Sequence, residues 1–100
     1  MDEKITVAVK KVNEAVDFVE IDNTLEAAQE IVGGYIEMVG IGNGIYLVCN
    51  EEGKITGEDF NFDLNGDYIV GDVFFVRVDD EGEFASLDES DIYDIEDLID

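Results

Sequence analysis

The segment Asp72–Val78, DVFFVRV, sets the first limit on what this chain can fold into. It alternates Val73, Phe75 and Arg77 with Phe74, Val76 and Val78, the period-2 pattern of a β-strand. Asp79-Asp80-Glu81-Gly82 then turns the chain into EFASL. A strand leaves its peptide groups unpaired unless neighbours complete a ladder, so the remaining residues must supply a sheet.

Several segments can serve. KITVAVK (Lys4–Lys10) and VDFVEI (Val16–Ile21) are β-rich, with KVNEA between them. YIEMVGI and IYLVCN flank Gly42-Asn43-Gly44, where Asn-Gly marks a hairpin. DNTLEAAQEIVGG predicts a short helix, capped by Asn23 or Asp22, with Glu26 in its first turn and Gly33-Gly34 as its stop. Leu25, Ala28 and Val32 fall at i, i+3 and i+7 on it. Glu51-Glu52-Gly53 is a turn, and residues 54–68 are the least regular, alternating apolar and acidic side chains around Phe60, Phe62 and Leu64.

The chain closes with SLDESDIYDIEDLID. Ser86-Leu87-Asp88-Glu89 has the capping-box spacing, and Ile92, Ile95 and Ile99 share a helical face. The expectation is an α+β fold: a mostly antiparallel sheet of five to six strands, a short central helix and a C-terminal acidic helix, with the helices covering one face. One domain spans residues 1–100, a sheet-based core over 1–87 and an acidic helix or tail over 88–100.

With 46% apolar and 10% aromatic residues, the chain has enough hydrophobic material for a modest core. The charge is lopsided: 27 Asp+Glu against 5 Lys+Arg, formally −22. Nucleic acids and anionic membranes carry the same sign, so direct binding to either is disfavoured, and basic partners or cations are favoured. The single cysteine, Cys49, excludes an intrachain disulfide and fits a reducing compartment. The opening MDEK does not begin a signal peptide, and no apolar run reaches the ~20 residues of a membrane helix. A cytosolic protein is the expectation.

Three segments, TLEAAQEIVGGYIEMVGI, CNEEGKITG and IVGDVFFV, together resemble the signature of a small family without an assigned activity. That family occurs in phages, plasmids and mobile elements of Gram-positive bacteria, and the resemblance covers roughly residues 4–87. In it the loop before the last strands carries an asparagine, which Asn61 matches, while the acidic DLNG context departs from the pattern. No catalytic residues come with the resemblance. It implies a mobile-element setting, where short acidic proteins are often inhibitors of host defences.

The residues themselves offer little chemistry. Without histidine there is no His-based triad, general base or zinc set. Carboxylate pairs are too abundant for one to be informative, and no Gly-rich loop carries the lysine and helix needed for phosphate. Cys49 lies in an apolar strand without a basic neighbour and predicts a packed thiol. An enzyme is not expected, and no cofactor is implied.

NFDLNGDYIVGD, Asn61–Asp72, approximates a calcium loop, with Asn61, Asp63, Asn65, Asp67 and Asp72 at positions 1, 3, 5, 7 and 12 and Gly66 at 6. Position 1 lacks a carboxylate, Asp72 is shorter than the glutamate such loops use, and the flank is a strand instead of a helix. An acidic turn with Asn65-Gly66 at its tip is the simpler reading.

The acids also read as a surface. Residues 79–100 hold eleven of the 27 and no base, and Asp88, Asp91, Asp94, Asp97 and Asp100 recur every third position. On a helix such side chains lie ~5–6 Å apart at Cβ, close to the spacing of successive phosphates. Asp97 and Asp100 oppose the helix dipole at ~0.3–1 kcal/mol each at low salt, which stability alone does not select. Arg77, the only arginine, needs a carboxylate, and Glu37 in the central YIE segment is the candidate.

The functional expectation is an acidic mimic of nucleic-acid phosphates, blocking the basic groove of a host defence nuclease such as a CRISPR effector or restriction enzyme. Asp79, Asp80, Glu81, Asp88, Glu89, Asp91, Asp94 and Asp97 would carry the contact, extended by Asp63, Asp67 and Asp72. The competing readings are a structural or adaptor module with solubilising acids, and a cation-binding domain.

Overall fold

The computed structural model describes residues 3–99. Eight strands and three helices follow in the order β1 (Lys4–Lys10), β2 (Asp17–Asp22), α1 (Leu25–Val32), β3 (Ile36–Gly42), β4 (Ile45–Asn50), α2 (Gly53–Thr56), β5 (Phe60–Leu64), β6 (Asp67–Val70), β7 (Val73–Val78), β8 (Phe84–Ala85) and α3 (Glu89–Ile99). The fold is α+β. A six-stranded antiparallel sheet runs β2-β1-β7-β4-β3, with β8 also on β7, and β5 and β6 form a separate two-stranded sheet.

The alternation of the DVFFVRV segment organises both layers. Val73 and Phe75 join Ala8, Ile45 and Leu47 on one face, where the β5–β6 hairpin adds Phe62, Leu64 and Ile69 and α3 adds Ile95. Phe74 and Val76 join Ile5, Val7, Val9 and Val48 on the other, where α1 contributes Ala28 and Val32. Burial of this apolar area, at ~25 cal/mol per Å², is the main force holding the layers. The helices therefore lie on opposite faces and not together on one. A sheet whose central strand is apolar on both sides needs a cover on both.

Local chemistry sets the ends. The hairpin tips Asn43-Gly44 and Asn65-Gly66 all have positive φ, the type I′ geometry that matches strand twist. The α1 cap is Thr24, whose Oγ1 accepts the Ala27 N–H at 3.1 Å, in place of Asn23 or Asp22. Gly33 ends the helix at φ 78°. Leu25, expected on the packed face, is 58% exposed, while Ala28 and Val32 are buried against the sheet and Ile31 packs beside them. The supposedly irregular residues 54–68 instead form α2, β5 and the start of β6, since the alternation around Phe62 and Leu64 is that of a half-buried hairpin.

Candidate interaction surface

Helix α3 is fixed by two aspartates that serve each other. Asp88 Oδ1 accepts the Asp91 N–H, and Asp91 Oδ2 accepts the Asp88 N–H, each at 3.0 Å. This reciprocal capping box stands two residues later than the one expected at Ser86-Leu87-Asp88-Glu89. The Ser86 hydroxyl instead accepts the Thr6 N–H at 3.0 Å, tying the approach to α3 onto β1. The Ser90 hydroxyl, the Asp91 N–H and nearby Arg77 hold the exposed Asp88 carboxyl below its usual range.

Arg77 projects from the Val73/Phe75 face, the face that α3 covers, and pairs with Asp91. Its Nε donates to Asp91 Oδ2 at 3.0 Å, Nη2 donates to Asp91 Oδ1, and Nη1 donates to the Asn43 carbonyl at 3.1 Å. The expected Glu37–Arg77 pair does not form. Glu37 stands opposite Cys49, whereas Arg77 stands opposite Ile45, four residues or ~13 Å further along β4. The pair with Asp91 raises the guanidinium's affinity for its proton.

Asp91 is thus withdrawn from the row of candidate surface acids: only 2% of it is exposed. The row Asp88, Asp91, Asp94, Asp97 is interrupted at its second member, and Asp100 lies outside the described residues. The helix shows solvent a flank of Glu89, Asp94, Glu96 and Asp97, with Tyr93 70% exposed among them. Glu96 belongs to this flank and is absent from the expected set. Its position seven residues after Glu89, two helical turns on the same side, was the available signal.

The remaining candidates divide by what they already hold. Asp79 Oδ1 accepts the Glu81 and Glu83 N–H groups at 2.9 Å and shapes the β7–β8 turn, leaving Asp80 and Glu81 exposed. Asp72 Oδ1 accepts the Val12 N–H at 3.0 Å, pinning the β1–β2 connection. Asp67 pairs with Lys54 at 2.7 Å, and the Lys54 ammonium lies 4.2 Å over the Tyr68 ring. Asp63 Oδ1 accepts the Gly66 N–H at 2.8 Å within the hairpin tip.

The calcium-loop spacing has the same explanation. Asn61 Oδ1 accepts from the Lys10 ammonium at 2.8 Å, and its amide donates to the Lys10 and Gly71 carbonyls, each at 2.8 Å. A lysine therefore occupies the place a metal would take at position 1. Asn65, at φ 51°, turns the hairpin. Asn61, Asp63, Asn65, Asp67 and Asp72 serve five separate local tasks and do not converge, and among the described residues no cluster of three or more Cys, Asp or Glu could hold a metal ion.

Cys49 is half-buried and donates weakly to the Glu37 carbonyl at 3.7 Å. Burial, reinforced by the Glu37 carboxylate, pushes its thiol up to about 11. It packs against the face that carries the β5–β6 hairpin.

A family model, DUF3846, a domain of unknown function, matches residues 5–100. The chain belongs to this family. The match reaches beyond the expected residues 4–87, so α3 lies inside the DUF3846 range, in keeping with Ile95 buried in the core. No curated protein and no solved structure matches the chain. Among the described residues, no helix of this DUF3846 domain is long and apolar enough to cross a membrane.

Proposed function

We propose that this DUF3846 domain is a non-enzymatic inhibitor from a phage or other mobile element, acting in the bacterial cytoplasm. Its acidic surface occupies the nucleic-acid groove of a host defence nuclease of the CRISPR-effector or restriction type. The observation that carries the reading is the fate of the bases. Lys4 pairs with Asp22, Lys54 with Asp67 and Arg77 with Asp91, while Lys10 is buried against Asn61. Among the described residues, Lys11 is the one basic side chain exposed without such a partner.

The surface charge is consequently almost unmixed. The 6074 Å² surface holds about one net charge per 280 Å², against about one per 100–110 Å² for a DNA rod of ~10 Å radius. An even spread is too dilute to imitate DNA, so the contact must use the denser end. We assign that role to the β7–β8 turn and α3, whose Asp80, Glu81, Glu89, Asp94, Glu96 and Asp97 are all exposed. A groove that holds phosphates with Lys and Arg binds such carboxylates by the same charge-assisted hydrogen bonds.

The test is capture of host proteins on the immobilised domain at low and high salt, followed by elution with duplex DNA. The proposal expects a basic nucleic-acid enzyme that DNA displaces. Retention of no such enzyme, or retention that DNA leaves untouched, refutes it.

A further inference from the structure

We infer that the free edge of β3 takes an extended, basic segment of a partner protein as an added strand. The surface is separate from the acidic end formed by α3 and the β7–β8 turn. The two edges of the large sheet, β2 and β3, are unlike. β2 exposes Asp17, Glu20 and Asp22 along its length, the charged guard that keeps an edge from pairing with other chains. In a chain with 27 acids, β3 carries only Glu37, and it exposes Met38 at 39% and Val39 at 38%.

Its peptide groups are aimed for pairing. The Tyr35 carbonyl accepts the Glu51 N–H at 2.9 Å in line with the β3–β4 ladder. Alternation along an antiparallel pair then places the groups of Glu37 and Val39 in the ladder and turns those of Ile36, Met38 and Gly40 outward. The register shift between Gly40 and Gly42 limits the usable edge to Ile36–Gly40, about 17 Å of strand.

Charge chooses the occupant. A cleft of about 130 Å³ opens beside this edge, lined by Glu37, Glu51, Asp67, Tyr68 and Cys49. Lys54 shows how a cation is held there, paired with Asp67 and stacked over Tyr68. Among the described residues no base pairs with Glu37 or Glu51. An added strand places every second side chain on this face, and a lysine or arginine there reaches those carboxylates. A second copy brings another −22, and nucleic acid offers no strand-pairing groups.

The probe is a capped heptapeptide alternating lysine and valine, added to the folded chain in 0.15 M salt. Amide exchange is read by NMR. The expected result is exchange at Ile36, Met38 and Gly40 slowed at least about tenfold, with β2 unchanged. A peptide of equal charge with two valines replaced by proline should bind at least about tenfold more weakly. Met38→Pro removes an outward N–H without breaking the ladder, and Met38→Lys adds an edge guard; both should abolish the protection.

Equal binding by the proline peptide, or protection spread over the whole surface, overturns the inference in favour of diffuse attraction. Sedimentation showing a dimer that Met38→Pro dissolves overturns it in favour of a second copy. The acidic-mimic proposal is independent of either outcome, because its residues and its DNA competition lie elsewhere.

Discussion

Replacing Asp91 by alanine removes two contacts to the Arg77 guanidinium and the acceptor of the Asp88 N–H. Loss of one partner from a buried ion pair costs ~3–5 kcal/mol when the survivor stays dry. Arg77 keeps 32% of its side chain exposed, so water recovers part of that, and ~2–3 kcal/mol is the reasoned figure. Loss of half the capping box adds ~1 kcal/mol, for ~3–4 kcal/mol in all. Urea unfolding followed by circular dichroism, at neutral pH and 0.15 M salt, reads it directly. Three further variants separate the parts. Asp88→Ala should cost clearly less than Asp91→Ala, Glu37→Ala less than ~0.5 kcal/mol, and Arg77→Leu combined with Asp91→Leu less than Asp91→Ala alone. A cost below ~1 kcal/mol for Asp91→Ala, or an equal cost for Glu37→Ala, would falsify the assignment of Asp91 as the arginine's partner.

Asn61→Ala should destabilise by ~2–3 kcal/mol, because it removes the side-chain acceptor of the Lys10 ammonium and the amide donor to two carbonyls. Calcium at millimolar concentration should raise the melting temperature of the unaltered chain no more than magnesium does; a calcium-specific rise abolished by Asp63→Ala would restore the metal loop. Gly71 and Gly57 have φ of 72° and 78°, but a Cβ at Gly71 meets Glu58 Oε2 at 2.5 Å and one at Gly57 meets nothing. Gly57→Ala should cost ~1 kcal/mol from conformation alone, and Gly71→Ala clearly more; equal losses in thermal melts would show that Glu58 gives way freely. The Cys49 thiol, neutral up to about 11, should react with iodoacetamide at pH 8 roughly tenfold more slowly than a free cysteine, since its thiolate is scarcer though more nucleophilic. The unfolded thiol ionises at lower pH than the folded one, so this group's stabilising contribution is intact below the unfolded value. It falls as pH rises towards about 11, and unchanged stability over that window in a Cys49→Ser comparison contradicts the burial argument.

Elements whose signals are local were legible in the sequence. Alternation placed β1 and β7, Asn-Gly placed both hairpin tips, and Gly33 stopped α1. Pairings between distant elements were less legible. Chemical type alone points Arg77 to Glu37, but register along β4 separates them, and the facing element is a helix that follows later in the chain. A clue did exist: Asp91 lies one turn before Ile95 and so shares its buried side. The row of aspartates at every third position concealed it, because that spacing describes a stripe winding round the helix and not one constant face. The expected cap of α1, Asn23 or Asp22, is displaced by one or two residues, because the Thr24 hydroxyl takes the Ala27 N–H and is itself a favoured cap.

The most direct test of the central proposal is neutralisation of the acidic end. Asp80, Glu81, Glu89, Asp94, Glu96 and Asp97 are changed together to their amides. None of them is buried or supports the core, so the variant should unfold within ~0.5 kcal/mol of the parent at 0.15 M salt. The account predicts that this variant no longer retains the DNA-displaceable basic enzyme captured by the parent. Capture undiminished in the folded variant contradicts the account.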